Sequence, residues 1–179
     1  GVYTGEVAKE GEVLRELIKG FRDFDFNTLD NEAQLIFKKG MIGFVRAIDA
    51  GVEYRVLRNM LTAFSNEGLV GKKMVMTIFD DMGVSLKHFS ELEPGTAKNL
   101  REQFQAWANR MGDRPFIRQS ISKKNTIYND SKWFGGIAEL KVLRNLIEHP
   151  EFAKNKFELI SFNLDEKIDI LLKKGNKKI

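Results

Sequence analysis

The sequence predicts an all-α protein, a single compact helical domain of about seven or eight helices with one long basic loop. Three observations carry this expectation. Apolar side chains recur at intervals of three and four along most of the chain, the period of a helix with one buried face. Good helix formers fill the intervals, and only 3 prolines interrupt 179 residues. Residues 1–179 read as one domain, large enough to bury a core. An N-terminal arm is expected over 1–25 and a frayed basic tail over 173–179.

The elements follow in order. Val7, Val13, Leu14, Leu17, Ile18 and Phe21 mark an amphipathic first helix ending near Gly20. FRDFDFNTLD alternates Phe with charge and reads as a connection into the next helix, with Thr28 or Asp30 as N-cap. The helix from Asn31 to about Ala50 has a broad apolar set (Ala33, Leu35, Ile36, Phe37, Met41, Ile42, Phe44, Val45, Ile48) and is expected to be central. Gly40 and Gly43 each cost it about 1 kcal/mol relative to Ala, which is tolerable where helices approach closely. Residues 52–65 and about 69–82 predict two further helices around Asn66-Glu67-Gly68. Glu93-Pro94-Gly95-Thr96 is a turn and N-cap signal that opens a helix stopping at Gly112. GDRPFIRQSISKKNTIYNDSKW is the least periodic segment and reads as a long loop, a length that usually marks function or disorder. A helix from about Lys132 to His149 follows, then a turn at Pro150 and a short helix. Leu164 to Leu172 is expected to form the last amphipathic element.

Composition excludes several classes. With no cysteine there are no disulfides, thiolate metal sites or cysteine nucleophiles, which fits a reducing, cytoplasmic location. No apolar run approaches the roughly 18 residues of a membrane span, and GVYTGEV has neither the basic nor the apolar run of a secretory signal. The 14 Phe against 3 Tyr and 2 Trp predict a core built on aromatic packing. A net charge of +4 and a pI near 9.2 permit an acidic partner, and clustering of that charge would point to nucleic acid.

The charge is clustered. Arg110, Arg114, Arg118, Lys123, Lys124 and Lys132 stand against only Asp113 and Asp130, with Phe116, Tyr128 and Trp133 interleaved. Cations that neutralise phosphates, beside rings that stack on bases, form the usual footprint for single-stranded nucleic acid. Arg110, Arg114, Arg118, Lys123, Lys124, Tyr128, Lys132 and Trp133 are therefore the candidate RNA-binding residues. The alternative is a solvated loop whose aromatic rings turn back into the core.

VLRNLIEH, residues 142–149, places Arg144, Asn145 and His149 at the end of a late helix just before Pro150. Arg144-Asn145-Leu146-Ile147-Glu148-His149 resembles the Arg-Asn-x-x-x-His signature of the HEPN superfamily of all-helical domains, many of them metal-independent ribonucleases. The resemblance covers this motif and a general helical architecture. It implies Arg144, Asn145 and His149 as catalytic residues, and a homo-oligomer in which two motifs meet across a dimer. The chemistry is coherent. Cleavage by the neighbouring 2′-hydroxyl needs a proton acceptor, which an imidazole supplies, and stabilisation of phosphate charge, which a guanidinium supplies. Asn145 would orient either group. Arg144 and His149 stand five residues apart, about 140° beyond a full turn, so they do not share one face. The competing structural reading is a surface arginine and a histidine favoured at a helix end by the dipole.

The rest of the chain offers less. Val56-Leu57-Arg58-Asn59-Met60-Leu61 repeats the pattern of Val142–Ile147 but is far shorter than the roughly 20 residues of a true repeat. Lys38-Lys39, Lys72-Lys73 and the tail Lys173, Lys174, Lys177 and Lys178 read as solvated lysine pairs that could widen a basic surface. Asp80-Asp81 reads as helix-end solvation rather than a metal site, and His88 as a surface residue. No metal or other cofactor is expected. The leading expectation is a single-stranded-RNA-directed protein with HEPN-like endoribonuclease activity. The alternatives are a non-catalytic, nucleocapsid-like RNA-binding assembly protein and a helical protein–protein adaptor.

Overall fold

In the computed structural model, the described residues are 5–22, 24–66, 68–112, 131–151, 158–163, 169–174 and 177–178. Six α-helices lie among them: α1 (Gly5–Phe21), α2 (Asn31–Asp49), α3 (Tyr54–Asn66), α4 (Leu69–Phe89), α5 (Pro94–Gly112) and α6 (Ser131–Glu148). The expected helical architecture is present, and two helices begin on the capping signals read from the sequence. Asp30 caps α2, its carboxylate accepting from the Ala33 N–H at 2.8 Å. Pro94 opens α5 behind Glu93, whose carboxylate accepts from the Gly95 and Thr96 N–H groups at 3.1 and 2.9 Å. Between α1 and α2 the Phe-rich connection holds a 3₁₀ turn over Phe26–Thr28, with Asp25 as its cap.

The core is aromatic at one end and closely packed at its centre. Phe21, Phe24, Phe37 and Phe64 form a continuous ring cluster with centroid separations of 5.1 to 6.1 Å. At the crossing of α2 and α4 the two backbones touch. A Cβ on Gly43 would fall on the Phe79 carbonyl, and one on Gly83 would fall on the Gly43 Cα. Only glycine permits that approach. On the other side, Trp107 Nε1 donates to the Gly136 carbonyl at 2.9 Å and ties α5 to α6.

Two expectations are corrected. The fourth helix was expected to end near Met82, but α4 continues to Phe89. Gly83 does not stop the helix because it is the contact point with α2. At the C-terminus, the last amphipathic element expected over Leu164–Leu172 is a strand from Asp169 on, with 164–168 outside the described residues, and residues 173–174 and 177–178 of the expected tail lie in strands. β1 (Glu158–Asn163), β2 (Asp169–Lys174) and β3 (Lys177–Lys178) form an antiparallel sheet in the order β1-β2-β3, with a register irregularity between Leu159 and Ser161. Strand β1 lies beside α5. The short apolar runs Leu159-Ile160 and Ile170-Leu171-Leu172 have no helical period long enough to hold a helix. Among the described residues, no helix is long and apolar enough to cross a membrane.

Candidate functional site

The VLRNLIEH segment forms the last two turns of α6 and the residue beyond it. Leu143 and Ile147 are buried, which turns the segment against the core and brings Arg144 over α4. There Arg144 Nη1 lies 2.7 Å from Asp80 Oδ2 and 2.7 Å from Asp81 Oδ1. Its Nε reaches Glu148 Oε2 one turn on, at 3.3 Å. Lys141 Nζ, one turn back, lies 3.0 Å from Asp81 Oδ1. It is also 2.9 Å from Oδ2, off the line of a hydrogen bond, so toward that oxygen it acts as a charge rather than a directed donor.

Burial decides what this cluster does. The Asp81 side chain is only 1% exposed and that of Arg144 19%. Burial is the largest single influence on the guanidinium and works against its charge. The bonds to Asp80, Asp81 and Glu148 outweigh it, so the pKa stands above the ordinary arginine value. A buried carboxylate without this partner would carry an uncompensated charge in a poor solvent. Asp80-Asp81 is therefore not a solvated helix end, as the sequence suggested. It is the acidic half of an ion-pair network joining α4 to α6. Nor is Lys72 part of a solvated pair: it is buried, its ammonium donates to the Phe64 carbonyl, and it stands 4.6 Å from the Phe64 ring centroid.

The other candidate catalytic residues are placed differently. His149 is exposed beyond the helix end, and its Nδ1 accepts from the Glu151 N–H at 3.2 Å. That puts the hydrogen of the neutral ring on Nε2 and gives the imidazole the role of a cap. Asn145 is exposed. Among the described residues, no hydrogen bond or ion pair joins Arg144 to His149. The look-alike Arg58 is exposed and pairs with Glu12 at 3.5 Å, while Asn59 is buried where Asn145 is not. The shared six-residue pattern thus sits in two different rotational settings.

Of the candidate RNA-binding residues, Arg110 is drawn into the structure. It pairs with Glu139 at 2.8 Å across the α5–α6 interface, with both side chains mostly buried. Arg114, Arg118, Lys123, Lys124 and Tyr128, with Phe116, lie outside the described residues. Lys132 and Trp133 fall in the first turn of α6, and their side chains also lie outside. His88 pairs with Glu91 at 2.7 Å at the end of α4. Among the described residues, no group of three or more His, Cys, Asp or Glu side chains could hold a metal ion. Comparison with family models, curated proteins and solved structures yields no match.

Proposed function

We propose that the chain is a non-catalytic, RNA-directed helical assembly protein that grips the backbone of single-stranded RNA through its C-terminal third. The observation that carries this reading is the distribution of charge. Residues 1–112 hold 15 basic against 16 acidic side chains, and residues 113–179 hold 14 against 9. Residues 1–112 are thus close to neutral, and the positive excess of the chain falls on residues 113–179. Such segregation attracts a polyanion at long range and grips it by release of counterions.

The geometry at VLRNLIEH supports binding over cleavage. Before it could hold a scissile phosphate, Arg144 would have to leave two carboxylates that it contacts at 2.7 Å. Asp80 and Asp81 would also repel the incoming phosphate. HEPN-like use of Arg144 would therefore compete with its ion pairs to α4. Exposed Leu35, Ile42 and Val45 on the outer side of α2 suit the assembly part of this reading, since apolar patches on a soluble surface mark contacts.

The test is binding of a fluorescent single-stranded RNA measured across a salt series. Wild type is expected to bind with a steep salt dependence. Joint replacement of Arg114, Arg118, Lys123 and Lys124 by Gln is expected to make the slope shallower by about 3, at roughly 0.7 per single-strand phosphate contact. An unchanged slope would remove these four residues from the interface. Absence of binding by wild type would remove RNA from the function.

A further inference from the structure

The last two strands pair lysine with lysine. Lys173 stands opposite Lys178, and Lys174 opposite Lys177. Residues directly opposite in an antiparallel pair carry their Cβ atoms about 5 Å apart, and like charges there destabilise the ladder. The end of the sheet therefore brings four lysines to two adjacent register positions. Glu158 stands opposite Lys173 on the other side of β2, so one of the four has an acidic neighbour across the ladder.

Protection of an exposed edge explains only part of this arrangement. Lysines on an edge strand discourage pairing with other chains, and β3 is an edge. That accounts for Lys177 and Lys178 but not for Lys173 and Lys174 on the central strand. Strand β2 is also polarised along its length, beginning at Asp169 and ending in two lysines. A concentration of positive charge at one end of a sheet is what a polyanion neutralises on binding.

We infer that the β2–β3 end is a contact for the phosphate backbone of single-stranded RNA, formed by Lys173, Lys174, Lys177 and Lys178. The inference rests on the RNA-directed reading above and adds a second contact to the basic stretch from Arg114 to Lys124. Lysine suits this task because it meets phosphate as a flexible point charge. The contact positions the strand and reads no base. It shares no residue with the Arg144 network.

The experiment uses the full chain and a labelled oligouridine, with affinity measured across a salt series. Joint Lys173→Gln, Lys174→Gln, Lys177→Gln and Lys178→Gln substitution is expected to leave the helical dichroism intact and to make the salt slope shallower by about 2 to 3, at roughly 0.7 per contact. The matching four Lys→Arg substitutions are expected to keep the wild-type slope. If wild type binds and the Gln variant keeps its slope, the hairpin contact is wrong and RNA binding stands. If wild type does not bind, both readings fall. If the Arg variant loses slope as the Gln variant does, the effect is not one of charge and the contact is again wrong. A parallel arm with phosphatidylserine vesicles completes the test: binding to vesicles without binding to RNA would overturn the proposal in favour of a membrane surface.

Discussion

Arg144 Nη1 lies 2.7 Å from Asp81 Oδ1, an oxygen 63 residues away in sequence and almost fully removed from solvent. This contact fixes α6 on α4. It also ties the most suggestive arginine of the sequence into the contact between the two helices.

Removing one partner should therefore be costly. Arg144→Met is expected to destabilise the fold by about 3 kcal/mol, because it leaves Asp81 buried beside Asp80 with only Lys141 close by. Asp81→Leu combined with Arg144→Met should cost clearly less than the sum of the two single changes, with a coupling of roughly 1 to 3 kcal/mol. Urea unfolding of the four proteins measures this. Strict additivity would mean that the pair contributes no interaction of its own. Arg58→Met, in the look-alike segment, should stay within about 0.5 kcal/mol of wild type.

Gly43→Ala is expected to be among the most damaging single-methyl additions in the chain. The new Cβ would meet backbone, which cannot swing aside, at the α2–α4 crossing. Overpacking of this kind costs roughly 1 to 3 kcal/mol, occasionally more. Gly68→Ala, with open space around it, is the control. Thermal melts of the two variants should separate clearly.

At acid pH the start of α5 should weaken in a defined direction. Donation from the Gly95 N–H first, and then from the Thr96 N–H, holds the Glu93 carboxyl below its ordinary value of 4.5. A lowered folded value means that the cap is fully present above the unfolded value and is lost as pH falls through the folded one. The Gly95 and Thr96 amide resonances should report a transition below 4.5. In Glu93→Gln that transition should disappear.

Much of the fold was legible in the sequence, and the reasons are visible in particular residues. Asp30 and Glu93-Pro94 announced two helix starts because capping chemistry is local. Gly40 and Gly43 suggested a close helix approach, though not the partner. The continuation of α4 past Met82 was not legible, because the Gly43 backbone that lies against Gly83 belongs to another helix. Asp80-Asp81 was misread, since a pair placed at a helix end appears solvated. The C-terminal strands were missed because runs of two or three apolar residues do not separate strand from helix by period. KKGNKK did carry a signal, a two-residue Gly-Asn connection of the kind hairpins favour. The VLRNLIEH motif was legible as a pattern. Its function was not, because the partners of Arg144 lie on another helix.

His149→Ala is expected to leave RNA affinity unchanged and to cost about 0.5 kcal/mol of stability, the loss of one exposed cap. Equilibrium binding and urea unfolding check both halves.

The most direct test is incubation of the purified protein with end-labelled single-stranded RNA in excess EDTA, with shift and cleavage read on native and denaturing gels from the same tubes. A protein that binds RNA through its C-terminal third, with Arg144 held by Asp80 and Asp81, should retard the RNA and return it intact. RNA cut in EDTA by wild type and left whole by His149→Ala would contradict that, and would make VLRNLIEH a catalytic element.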